Sequence, residues 1–424
     1  MQSANNTIFA LSSGQGKSGV AVIRVSGADL DFLPVPQRPR FAKLIDFYGI
    51  DSLIAIYFKA PESFTGEDVV ELHCHGGQAV IRAIFDKLRT FGFRMAERGE
   101  FSRRAFDNGK MDLVEVDGMR ALIDARTESQ RRRALLGIVG ADSGVYVRWR
   151  EQMIELAALS AARMDYDAGD LPKNIGERIL KKTTALLSEV KSALQSKARL
   201  VESGFNVVLA GETNVGKSSL FNRLLGEGRA IVSDIAGTTR DVISAELDID
   251  GYLVRLLDTA GLRESNDEIE KIGIEKTKEQ VENADLVVRV FDWQNPGTKI
   301  GNQNPENEII VVNKSDMVAN QESQIAGRVY VSAKTGRGIG GLLDEIRKKL
   351  HAQLDGAEND LAVGERARAH LENAVAELEK SIDKEPDLQS EHIARAADEL
   401  GLILGVIGTD EIYDSVFGQL CLGK

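Results

Sequence analysis

The feature that most constrains this chain is a single loop. Gly211-Glu212-Thr213-Asn214-Val215-Gly216-Lys217-Ser218 places glycines five apart and follows the second at once with lysine and serine. An apolar β-branched run, Val207 to Ala210, precedes it, and a helix-like segment to Leu225 follows. Glycine lets backbone N–H groups curl around a phosphate; Lys217 then reaches the outer phosphates and the Ser218 hydroxyl takes a Mg²⁺ position. A strand, a phosphate loop and a helix in that order demand an α/β layer around them. Gly16-Lys17-Ser18 repeats only the end of the motif. Leu11 stands five residues before Gly16, so the phosphate cradle is missing and the segment reads as an ordinary loop.

Four further elements follow in order. Gly237-Thr238-Thr239-Arg240 offers Thr239 as a second Mg²⁺ ligand able to move with a γ-phosphate. LLDTAG (256–261) ends a strand in Asp258, suited to Mg²⁺ through water, and continues through Thr259 and Ala260 to Gly261, whose N–H can meet the γ-phosphate. IIVVNKSD (309–316) carries Asn313, Lys314 and Asp316. The Asp316 carboxylate can accept from the two N–H donors of guanine, a pair adenine lacks. VSAK (331–334) supplies Ser332, Ala333 and Lys334 against the base. The nucleotide contacts expected from these elements are Asn214 to Ser219, taking in Val215, Gly216, Lys217 and Ser218; Gly237, Thr238 and Thr239; Asp258 to Gly261; and the base-side residues just named. These elements point to a guanine-nucleotide hydrolase over 204–348 and against an ATP-using enzyme.

Two details narrow the mechanism. Leu262 follows Gly261, where signalling GTPases of the Ras type carry a water-orienting glutamine. A leucine cannot polarise water, so another group must, and Glu264, Asp267, Glu268 and Glu270 lie just beyond. Asn214, two residues before Gly216, offers an amide oxygen to a monovalent cation near the β and γ phosphates, although asparagine is also a common loop residue.

The flanks supply the rest of the organisation. At 424 residues there is room for about three domains. TIFAL (7–11), VAVIRV (20–25), LIAIYF (53–58) and VVELH (69–73) read as strands, and AVIRAIFDKLRTFG as a helix closed by Gly92. Ile175, Ile179, Leu186, Val190 and Leu194 form a helical stripe, as do Leu371, Val375, Leu378 and Ile382. DAGDLP (167–172) is expected to break the helices, and Thr409 to cap one near the end. The fold expected is thus an N-terminal α/β domain (1–110), a helical domain in two segments (111–203 and 349–424), and between them an inserted Ras-like P-loop G domain, a parallel sheet with helices on both faces. No run approaches the roughly 18 apolar residues of a membrane span. Two cysteines, Cys74 and Cys421, make no disulfide framework, which fits a cytoplasmic protein. The net charge of −12 weighs against bulk capture of nucleic acid, and Arg126 with Arg131 to Arg133 reads as a solvated helix face.

TGEDVVELHCHGG (65–77), RGEFSRRAFDNGKMDLVEVDG (98–118), AIVSDIAGTTRDV (230–242), DTAGLRESNDEIEKIGIE (258–275) and the terminal Cys421-Leu422-Gly423-Lys424 resemble the MnmE, or TrmE, family of bacterial tRNA modification GTPases over nearly the whole chain. The resemblance implies an N-terminal domain that forms a homodimer and binds a tetrahydrofolate derivative. It implies a FAD-binding partner protein, MnmG (GidA), in a heterotetramer or larger complex. Together they would install an aminomethyl or carboxymethylaminomethyl group at carbon 5 of the tRNA wobble uridine, the one-carbon unit coming from the folate. By position it assigns folate contacts to Arg24, Glu71, Lys110 and Lys424, a K⁺ site to Asn214, Ser233, Ile235 and Thr238, and further nucleotide contacts to Ser233, Asp234, Ile235 and Ala236. It selects Glu270 as the catalytic carboxylate. Cys421 is a candidate nucleophile or a small packed thiol. The region between Gly27 and Ile54, with PVPQRPR inside it, is shorter than in most members. The alternative is a ribosome-assembly or regulatory GTPase switch, which the folate-type segment and the terminal Cys-x-Gly-Lys disfavour.

Overall fold

The computed structural model describes residues 6–28, 30–165, 174–231, 244–258, 280–294, 307–317, 326–382 and 384–406. The chain divides into two compact units, one of residues 1–120, 137–187 and 369–424, the other of 121–136 and 188–368.

The first unit begins as a six-stranded sheet of β1 (Ile8–Leu11), β2 (Ser18–Ser26), β3 (Lys43–Phe47), β4 (Asp51–Phe58), β5 (Val69–Gly76) and β6 (Arg94–Met95), in spatial order β3-β4-β5-β2-β1-β6. Pairing is antiparallel except between β1 and β6. The four expected strands all form. Helix α1 (Gln78–Thr90) buries Ile84 and Leu88 with Phe9, Ile23, Val25, Val70 and Leu72. It stops where expected: Gly92, at φ 81°, donates its N–H to the Arg89 carbonyl. Further along the chain come α2 (Glu100–Asp107), α3 (Leu113–Asp124), α4 (Glu128–Ile138), α5 (Ala141–Asp165) and α6 (Ile175–Leu194), of which residues 121–136 and 188–194 belong to the second unit. In the expected α6 stripe Ile179, Leu186 and Val190 are fully buried, with Ile175 and Leu194 at its half-buried ends. The segment 167–172 and Thr409 lie outside the described residues.

The second unit is built on seven strands: β7 (Phe205–Ala210), β8 (Arg229–Ala230), β9 (Ser244–Ile249), β10 (Tyr252–Asp258), β11 (Leu286–Asp292), β12 (Glu308–Asn313) and β13 (Val329–Tyr330). Their order is β13-β12-β11-β7-β10-β9-β8. Pairing is parallel from β13 to β10, and β9 then runs antiparallel to both β10 and β8. The sheet is therefore mixed, not wholly parallel. The cause is local: Asp250 and Gly251, at φ 52° and 86°, join the paired residues Ile249 and Tyr252. Two consecutive left-handed residues form the tight turn that reverses a chain into an adjacent strand. Short helix α7 (Ala198–Ser203) leads into β7, and α8 (Lys217–Glu227) and α9 (Ile339–Leu354) pack on the sheet through Leu220, Phe221, Leu224, Leu342, Ile346 and Leu350. The chain leaves through α10 (Glu365–Ser381) and α11 (Pro386–Leu404), the latter lying along α5 in the first unit. In the α10 stripe Leu371 and Leu378 are fully buried and Val375 half-buried.

Candidate nucleotide site and a second polar cluster

The chemistry-bearing residues of the second unit sit where strands end. β7 ends at Ala210, before the phosphate loop. Register pairs Asp258, the last residue of β10, with Leu209, and Asn313, the last of β12, with Asp292, the last of β11. Ligands of open α/β sheets bind outside these carboxyl ends.

The loop between β7 and α8 depends on backbone shapes that side chains disfavour. Gly211 has φ 152° and Gly216 φ 96°, and Asn214, at φ 65°, is the residue type that best tolerates a left-handed position. A Cβ on Gly211 would meet the Val290 carbonyl oxygen at 2.2 Å, and one on Gly216 the Asn313 amide nitrogen at 2.3 Å. Lys217 is buried and donates to the carbonyls of Gly211 (2.8 Å) and Glu212 (2.9 Å). Its ammonium is thereby held over the loop rather than extended into solvent. Ser218 and Ser219 stand exposed in the first turn of α8. Asp258 is buried, 1% exposed. A hydroxyl and a carboxylate beside a phosphate loop are the hard oxygen donors that Mg²⁺ takes, and these residues fit that ion.

The base side is wired to the phosphate side. Asn313 donates to the Val215 carbonyl at 2.9 Å and accepts from the Ala333 N–H at 3.0 Å, bridging the two loops. The Ser332 hydroxyl donates to Asp316 at 2.6 Å and accepts from the Thr335 N–H. That hydroxyl, with smaller help from Lys334, holds the Asp316 carboxyl below the usual carboxylate range and so keeps it an acceptor. Lys314, at φ 62°, pairs with Asp292 at 2.5 Å. Sequence reasoning missed Asp292, and it missed Arg223 of α8, which donates to the carbonyls of Ala333 (3.2 Å) and Lys334 (2.9 Å). No motif marks either; β11–β12 register and a helix face bring them in. Ser233 to Thr239, Thr259 to Gly261 and Glu270 lie outside the described residues, as do Cys421 and Lys424.

The first unit holds a second cluster. Arg24 of β2 and Glu71 of β5 are cross-strand partners, and the guanidinium donates to one carboxylate oxygen at 2.9 and 3.2 Å. The other oxygen is 3.4 Å from His73, and Arg24 lies 4.9 Å from the centre of the Phe64 ring. Lys110 follows α2 and is exposed beside the Thr65-Gly66 loop, its aliphatic carbons 3.4 Å from where a Gly66 Cβ would stand. The structure thus joins Arg24 to Glu71 and sets Lys110 against the neighbouring loop. Beneath lies a network that sequence reasoning missed: buried Arg104 bonds Glu67 at 2.8 Å, Glu67 accepts from Ser26, and Ser26 bonds Thr65. Cys74 is buried in the core of this unit, and burial pushes its thiol up to about 11, which disfavours the nucleophilic thiolate.

Comparison with known proteins covers nearly the whole chain. Residues 7–110 match the family model described as the GTP-binding protein TrmE N-terminus, and 113–421 match that of the MnmE helical domain. The chain is 38% identical to the tRNA modification GTPase MnmE of Bartonella henselae, over 99% of this chain and 100% of that one. It is 40% identical to that of Wolbachia pipientis, over the full length of both. The two family models and full-length identity at this level place the chain in the MnmE (TrmE) family of tRNA modification GTPases.

Proposed function

We propose that this GTP hydrolase of tRNA modification acts on carbon 5 of the wobble uridine with a flavoprotein partner of the MnmG type, using a one-carbon unit from a tetrahydrofolate derivative. The observation that carries the reading is the pairing of two chemically distinct clusters in one chain. One is a guanine-nucleotide site at the ends of β7, β10 and β12; the other is the Arg24–Glu71 pair on the N-terminal sheet. In the first, Asp316 selects guanine, Lys217 meets the outer phosphates, and Ser218, Asp258 and Thr239 would hold Mg²⁺, which neutralises charge developing on the phosphates. Asn214 with Ser233, Ile235 and Thr238 would hold K⁺, and Glu270 would position the attacking water in place of a glutamine at Leu262. In the second, Arg24, Glu71, Lys110 and Lys424 would hold the folate, within a domain of residues 1–110 that dimerises in the cytoplasm.

Nucleoside analysis of tRNA from a strain lacking the gene tests the reading. Wobble uridines should lose the C5 group and regain it with the wild-type gene. Complementation with Glu270→Ala should not restore it, and that variant should bind GTP normally with turnover reduced ~10²-fold or more. Equal hydrolysis in K⁺ and Na⁺ would remove the cation from the scheme.

A further inference from the structure

The β3 edge of the N-terminal sheet displays aromatic rings and cations that neither cluster uses. Tyr48 opens the β3–β4 hairpin at φ 58°, a left-handed position that glycine or asparagine takes without strain and a bulky residue does not. Its ring is 45% exposed and lies 5.6 Å from Phe91, and its hydroxyl bonds the Phe32 carbonyl. Phe32, 55% exposed, stacks on Phe91 at 5.7 Å with an interplanar angle of 11°. Lys87 reaches over from α1, its ammonium 4.3 Å from the Tyr48 ring centre and 5.0 Å from that of Phe91.

The loop leading to β3 continues the pattern. Leu33 and Pro36 are buried and anchor it, while Arg38, Arg40 and Phe41 face solvent. The Arg38 guanidinium is 5.8 Å from the Phe41 ring centre. Arg40 donates to the Glu62 carbonyl at 2.7 Å and lies 4.0 Å from the exposed carboxylate of the same residue. From Phe32 to Ile45 the chain carries three cations, Arg38, Arg40 and Lys43, between the flanking acids Asp31 and Asp46, within a molecule of net charge −12. Pro34, Pro36 and Pro39 restrict the loop, so little ordering remains to oppose binding.

Exposed rings beside exposed cations are the chemistry that receives unpaired nucleotides: bases stack on π-faces, and Lys and Arg meet the phosphates between them. A second copy of the chain fits less well, because an isologous contact centred here would set these cations against their own copies. We propose that the β3 edge, with Phe32, Tyr48 and Lys87 at its hairpin end and Arg38, Arg40 and Phe41 at the opposite end, binds single-stranded nucleotides of RNA, a tRNA loop in a chain of this family. The inference rests on the tRNA-modification reading but fails separately from it.

The test uses the full chain and an unmodified anticodon stem-loop RNA labelled for fluorescence anisotropy, with a loop-free duplex as competitor. Phe32→Ala and Tyr48→Asn, the latter keeping a residue suited to φ 58°, should each weaken stem-loop binding about 10-fold or more. Lys87→Gln and Arg38→Gln should flatten its salt dependence. Tyr48→Phe should retain affinity. GTP turnover and melting temperature should stay at wild type throughout, which separates lost contact from lost fold. Unchanged affinity in the ring variants, equal competition by the duplex, or no stem-loop binding by wild type would overturn the proposal. So would variants that change self-association by sedimentation and leave RNA affinity intact, which would give the face to a second copy. Loss of the C5 group in the deletion strain alongside unaffected RNA binding would leave the enzymatic reading standing and sink only this inference.

Discussion

The two polar clusters are built on opposite principles. In the nucleotide unit Lys217 and Asn313 are tied to backbone, Lys217 to the carbonyls of Gly211 and Glu212 and Asn313 to Val215 and Ala333. In the N-terminal unit Arg24 and Glu71 are tied to each other across β2 and β5. A side chain anchored on its own loop keeps its place whatever its neighbours become. A side chain anchored on another side chain loses its orientation and its charge balance together when the partner goes. The first kind of site is therefore modular and carries a local motif, whereas the second depends on sheet register.

That difference orders the expected effects of mutation. The largest belongs to base recognition. Asp316→Asn exchanges a pure acceptor for a group that can donate, and so should shift the GTP to XTP affinity ratio by roughly 10³-fold or more, because mismatched buried donors reject a ligand strongly. Competition titration measures it, and unchanged GTP preference would remove Asp316 from the base contact. Next comes the bridge between loops. Gly216→Ala drives a methyl to 2.3 Å from the Asn313 amide and forces alanine to φ 96°. Losing both Asn313 bonds at about 1.5 kcal/mol each corresponds to ~100-fold weaker nucleotide binding, with the N-terminal unit unaffected. Near-normal affinity would show that the two loops are not coupled through Asn313.

Glu71→Gln probes the opposite design. It leaves Arg24 without its counter-charge and should weaken binding of a reduced folate about 10-fold or more while GTP turnover is unchanged. A parallel fall in turnover would break the separation of the two clusters.

The smallest effect is on pH dependence. His351 of α9 is held between Asp355, at 2.7 Å, and Asp250 of the β9–β10 turn, at 3.1 Å. Hydrogen bonds to Asp355 first and Asp250 second, against an opposing desolvation, raise its pKa above the ordinary 6.5. A raised pKa means that the stabilisation is complete below pH 6.5 and is lost as pH climbs through the folded-state value. The imidazole is partly exposed, so the loss should be only a few tenths of a kcal/mol to about 1. Melting curves between about pH 6 and pH 8 should show it in wild type and not in His351→Gln.

Much of the nucleotide site was legible because its parts are contiguous. The spacing from Gly211 to Ser218 states a backbone shape, and the structure has that shape, with Lys217 opening α8. Asp258 and Asn313 were readable as strand ends because apolar β-branched runs stop there. Asp292 and Arg223 were not, since nothing in their own neighbourhoods distinguishes them from solvated charges. The antiparallel edge of the sheet had a signal, Asp250-Gly251, that was overshadowed by the parallel strands around it. Glu71 carried the right chemistry in the sequence, but its partnership with Arg24 did not show.

What the sequence determined by itself is whatever few consecutive residues can specify: the shape of the phosphate loop, the Asn313-Lys314-x-Asp316 signature proposed to read guanine, the strands and helical stripes, and the full-length family likeness. Only the tertiary structure decided which side chains meet. It set Arg24 against Glu71 across 47 positions and Asn313 against Val215 across 98. It gathered Phe32, Tyr48 and Lys87 at one sheet edge. The physical reason is that spacing along a chain fixes local dihedrals and periodicity, whereas pairing between distant segments follows from strand register and from the core that every buried residue builds together.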